Sequence, residues 1–128
     1  MAITHTRQWT HEVGNNTISY QKSFSSDQEI NTEVSVADST TDDQVVMSVD
    51  VSAIKSAFIV SDQAVTIETN NGTTPDDTFT LVANVPLEWN ESSPLANPFS
   101  ADITGLFITN ASGATATVRI RILLDATP

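Results

Sequence analysis

The residues that could do chemistry are few and poorly placed for catalysis. His5 and His11 are the only histidines. They share one parity of an alternating segment, so on a single strand they lie about 20 Å apart and cannot jointly hold a metal. They read as surface or interface histidines. The acidic pairs Asp42-Asp43 and Asp76-Asp77 fall in turn-like segments. Calcium needs several oxygen ligands that converge, and no EF-hand spacing is present, so these pairs read as solvated Asx turns. The chain has no cysteine, which excludes a thiol nucleophile, disulfides and thiolate-bound zinc. No serine stands in a G-x-S-x-G elbow, and the four glycines form no phosphate loop. These observations lead us to expect no enzyme activity, no metal and no cofactor.

Other residues suit contact better than reaction. Trp9 shares a mixed face with Arg7 and His11, which makes it a candidate interface anchor. Trp89 closes an apolar run before a proline-punctuated loop and reads as a half-buried loop anchor. Arg119 and Arg121 share one face of the last strand in an otherwise acidic chain. They either pair with carboxylates on a neighbouring strand or present a basic stripe to a partner. Asn-x-Ser/Thr sequences start at Asn15, Asn71, Asn90 and Asn110. With no apolar leader between Met1 and Trp9, they read as unglycosylated turns of a protein made in the cytoplasm.

The elements that would carry these side chains are strands. With 128 residues the chain fits one domain, residues 1–128, large enough for an apolar core. Its polar bulk is Thr, Ser, Asn and Asp, which favours strands and turns over helices. A net charge of -11 opposes binding to nucleic acid or to anionic membranes. The longest apolar runs, 57–60 and 122–124, are far too short to span a bilayer.

Period-two alternation dominates. Ile3, Trp9 and Val13 share one parity, Gly14-Asn15-Asn16 supplies a hairpin turn, and Ile18, Tyr20, Lys22 and Phe24 alternate on the return. Further runs carry Ile30, Val34 and Val36, then Val45, Met47, Val49 and Val51, with at most one helical turn between Val51 and Ala57. Phe58 and Val60 lead through Ser61-Asp62-Gln63 to Val65 and Ile67, which reads as a second hairpin. Pro86 marks the run ending at Trp89 as bent or as an edge strand. The last strand alternates Val118, Ile120, Ile122 and Leu124 against Arg119 and Arg121. Roughly eight to ten short strands at regular spacing predict an all-β antiparallel sandwich, as in a jelly roll or an immunoglobulin-like domain.

The runs "AFIVSDQAVTIETN", "TFTLVANVPLEWN" and "NPFSADITGLFITNASGATATVRIRILLD" resemble the small β-rich virion proteins of tailed bacteriophages. More narrowly, they are similar to capsid decoration, or cement, proteins with a jelly-roll-like sandwich. The resemblance covers about the last seventy residues and carries no catalytic motif. It implies a structural protein on the capsid exterior of a virion, synthesised in the host cytoplasm. It further implies a homodimer or homotrimer that braces the major capsid protein shell. Residues 1–13 would then be an inter-subunit or docking strand that pairs by β-augmentation. Arg7, Trp9, His11, Trp89, Phe99, Arg119 and Arg121 are the expected interface residues. The competing expectation is a carbohydrate-binding or adhesion module of a phage tail or fibre, marked by an exposed aromatic platform with converging polar groups.

Overall fold

A computed structural model describes residues 2–126. Ten strands follow in chain order: β1 (Ile3–Val13), β2 (Asn16–Ser26), β3 (Gln28–Val36), β4 (Thr40–Val49), β5 (Ile54–Ser61), β6 (Val65–Thr69), β7 (Thr78–Leu81), β8 (Leu87–Asn90), β9 (Ile103–Asn110) and β10 (Ala116–Leu124). One 3-10 turn, Val51–Ala53, separates β4 from β5. Asp50 caps it, its Oδ1 accepting from the Ser52 backbone N–H and hydroxyl at 2.9 and 2.6 Å.

Two four-stranded antiparallel sheets, in the orders β3-β10-β5-β8 and β4-β9-β6-β7, form the sandwich. The all-β antiparallel architecture is therefore the one the alternation predicts. Inward residues of β10 (Val118, Ile120, Ile122) meet those of β9 (Leu106, Ile108) and of β5 and β6 (Ile59, Ile67), all fully buried. Full burial of each such side chain contributes about 1.5–3 kcal/mol, which is what holds the sheets face to face. Pro86 precedes β8, and β8 is indeed an edge strand.

One local expectation is corrected. Phe58–Val60 and Val65–Ile67 do not form a hairpin, because β5 and β6 lie in different sheets. Both ladder edges of β5 are already taken, by β10 and β8. Ser61-Asp62-Gln63 is instead a corner between the sheets. It is pinned by Asp62 Oδ1 accepting from the Thr117 N–H at 2.8 Å.

The remaining pair, β1 and β2, is a separate two-stranded sheet in continuous register from Ile3↔Ser26 to Val13↔Asn16. Gly14 takes φ 57° at the first central position of its two-residue turn, a conformation that costs glycine little and explains the residue there.

Candidate interaction surface

The β1–β2 hairpin is laid across the outer face of the β3-β10-β5-β8 sheet. Its contacts follow the strand order. His5 Nε2 donates to Glu29 Oε2 of β3 at 2.7 Å. Arg7 reaches β5, where its terminal Nη2 donates to Ser56 Oγ and to the Ala57 carbonyl, each at 2.8 Å. Trp9 Nε1 donates to Glu88 Oε1 of β8 at 2.8 Å. Underneath, Phe24 and Leu123 are buried apart from the main core. Leu123 faces Ser56 and Glu29 in register, so it belongs to the outer face that the hairpin covers.

Arg7 is the bolt of this joint. It is 8% exposed, and its guanidinium lies over the Phe58 ring at 4.8 Å. Burial pushes its pKa down, nearby Glu88 opposes that shift, and Arg121 adds to it. Arg7 Nε finds no hydrogen bond, since Glu88 Oε2 stands 3.8 Å away. His5 Nδ1 is likewise buried without a partner. The hairpin base is thus held by polar groups that are only partly satisfied.

Beyond Trp9 the character changes. Among the described residues, none from Thr10 to Lys22 makes a side-chain hydrogen bond or ion pair to the sandwich. Trp9 faces Tyr20 and His11 faces Ile18 across the ladder, so they share one face with Val13. That face is open to solvent, with Tyr20 at 70%, Val13 at 66% and Ile18 at 52% exposure. The opposite face is a ladder of Thr and Ser, with Thr4–Ser25 and Thr6–Ser23 hydroxyl pairs at 2.9 and 3.0 Å. Charge divides between the hairpin and the rest of the chain. Residues 1–26 carry Arg7 and Lys22 against Glu12, for one net positive charge. The rest carries Lys55, Arg119 and Arg121 against fifteen carboxylates, for twelve net negative.

The expected interface residues are scattered by the fold. Trp9 and His11 lie on the open hairpin face. Arg7 shares their parity but is used within the chain. Phe99 is 3% exposed and packs edge-on against Phe79 at 5.3 Å, so its side chain belongs to the core rather than to an interface. Trp89 is half-buried against the core, with Nε1 donating to the Leu95 carbonyl at 2.8 Å. Arg119 pairs with Glu33 at 3.2 Å on an exposed part of the sheet. Arg121 sits beside Phe58 in register and close enough to Arg7 for the two charges to repel. Residues 1–13 do not stand alone, because β1 is fully paired with β2. Sequence reasoning missed Val13, Ile18 and Tyr20 as surface residues. The residue types place the turn at Gly14-Asn15-Asn16, whereas Asn16 pairs with Val13; the register counted outward from the two-residue Gly14-Asn15 turn sets Tyr20 opposite Trp9.

A cleft opens where the hairpin passes the β8 edge. It has a volume of about 500 Å³ and runs between Trp9 and Lys22 on one side and Trp89 and the 92–95 loop on the other. The pair Asp76-Asp77 is spent on structure: Asp76 Oδ2 accepts from Asn70 Nδ2 at 2.6 Å, and Asp77 Oδ2 from the Ser100 N–H at 2.8 Å. Among the described residues no three His, Asp or Glu side chains converge to hold a metal ion. Comparisons with family models, with curated proteins and with solved structures find no match.

Proposed function

We propose that this chain is a non-enzymatic capsid decoration protein. It docks on the outer surface of a major capsid protein shell as a homodimer or homotrimer and braces it. The observation that carries the reading is the overhanging hairpin. Its apolar face of Trp9, Val13, Ile18 and Tyr20 is solvent-exposed on a nearly neutral arm, while the body beneath is strongly acidic. Solvated aromatic side chains on one face of a short sheet are the usual anchors of a protein interface. An acidic body keeps many copies soluble and apart from one another, and repeated weak contacts on a lattice add to high avidity. The strand orders β3-β10-β5-β8 and β4-β9-β6-β7 support placing the sandwich in the jelly-roll class, built from two Greek keys.

The docking unit in this reading is the whole hairpin rather than residues 1–13. Removing β1 alone would strip Phe24 of its cover and leave β2 unpaired. The test uses the intact chain carrying Ile18→Ser and Tyr20→Ala. Wild-type protein should co-sediment with shells that lack it, and the variant should bind at least about tenfold more weakly with an unchanged circular dichroism spectrum. Full binding by the variant, or no pelleting of the wild type, would overturn the proposal.

A further inference from the structure

We infer that the cleft between the hairpin and the β8 edge is a binding site for a neutral oligosaccharide. The site shares Trp9 with the proposed docking face, but its ligand would be recognised without the shell. Its volume, about 500 Å³, lies within the roughly 300–1,000 Å³ of ordinary ligand pockets.

The chemistry of its walls selects the ligand. Trp9 is 37% exposed, and its indole N–H is already spent on Glu88 at 2.8 Å. That bond fixes the ring and leaves its π face for an apolar partner. The C–H face of a pyranose carries the small positive charge that such a face attracts. Leu95, 74% exposed, supplies apolar surface on the facing loop. Trp89 also lines the cleft, with its indole N–H tied to the Leu95 carbonyl at 2.8 Å.

Around these apolar groups stand polar ones suited to hydroxyls. Asn90 Oδ1 holds the Ser92 N–H at 3.0 Å, which turns the loop and fixes the amide. Asn90 Nδ2 makes no hydrogen bond within the described chain, and neither do the Ser92 hydroxyl and the Lys22 ammonium. These are donors with open valences beside an acceptor, Glu88. A sugar hydroxyl both donates and accepts, so it can use the whole set. Lys22 and Glu88 cancel in charge, and the net charge of -11 on the chain repels acidic sugars at longer range. Both features favour a neutral saccharide.

The test is direct because the two tryptophans of the chain both line the cleft. Intrinsic fluorescence therefore reports occupancy without a label. The full chain is titrated with neutral gluco-, manno-, galacto- and N-acetylglucosamine-based oligosaccharides, and hits are repeated by calorimetry. At least one class should give a saturable emission change. Trp9→Ala should weaken it by about tenfold or more, the scale of a lost aromatic contact. Tyr20→Ala, which alters the open hairpin face outside the cleft, should leave it unchanged while lowering shell binding. No response from any class at about 10 mM, well above the roughly millimolar Kd of weak ligands, would overturn the inference. So would binding that survives Trp9→Ala, or binding confined to anionic sugars. Neither result would bear on shell docking, which is read from sedimentation.

Discussion

The sandwich and the hairpin are written in the same alternation and meet opposite fates. In β10, Val118, Ile120 and Ile122 reach complete burial because a second sheet covers their face. In β1 and β2, with the same period, only Arg7 and Phe24 are buried. A two-stranded sheet is marginal by itself and borrows its stability from what it lies on. Here it lies on the sandwich for about half its length. The covered half is bolted by Arg7, and the other half carries its apolar side chains into solvent. The difference teaches that alternation reports which residues share a face and leaves open whether anything covers that face. In the proposed reading, these uncovered side chains are the docking contacts.

The comparison breaks most sharply under paired truncations. Ile120→Ala in the sandwich should cost about 3–4 kcal/mol of unfolding free energy, since it leaves a cavity between sheets. Ile18→Ala on the open hairpin face should cost at most about 0.5 kcal/mol. Chemical denaturation of both variants measures the contrast, and equal losses would mean that the hairpin face is covered in solution. Arg7→Met tests the bolt. It removes the hydrogen bonds to Ser56 and to the Ala57 carbonyl and leaves buried acceptors bare, at a cost of about 2–3 kcal/mol. Hydrogen exchange should show β1 and β2 amides losing protection while β9 and β10 keep theirs. Uniform loss would instead make the hairpin part of the global folding unit.

Smaller effects sharpen the boundary. Glu88→Gln weakens the joint where Trp9 and Arg7 converge. The carboxylate is part-exposed and screened, so the change should stay near about 0.5–1 kcal/mol and appear chiefly as faster exchange at the hairpin. The smallest effect lies in the body. The bonds from the Ser52 hydroxyl and backbone N–H hold the Asp50 carboxyl below its usual pKa. A lowered folded-state value means that its stabilising contribution is present above the unfolded pKa. It is lost as pH falls through the folded one. Asp50→Asn should flatten that acid-side slope in denaturation curves and leave neutral-pH behaviour of the hairpin untouched.

Much of this architecture is legible before any coordinates. The Gly14 turn, the bent or edge character of the run after Pro86 and the inward face of β10 follow from residue type and spacing, because local backbone sterics and period-two pleating produce them. The site was harder. Trp9 stood out by type, but Tyr20 and Ile18 looked like one more buried parity. Phe99, at the end of a polar loop, gave no local sign that its ring turns inward onto Phe79. Arg7 looked like a partner-facing cation. Only the arrival of Ser56 and Ala57, some fifty residues away in sequence, made it an internal contact.

The sequence by itself determined an all-β chain of paired strands, its acidic body, its lack of cysteine chemistry and the place where its first hairpin turns. These rest on propensity, pleat and composition, which act over a few residues. Tertiary structure decided which strands are neighbours, that the 61–63 corner crosses between sheets, and that the hairpin lies across β3, β10, β5 and β8 with its tip uncovered. Those outcomes depend on which apolar faces find each other over long separations, and many pairings satisfy the same alternation until packing selects one.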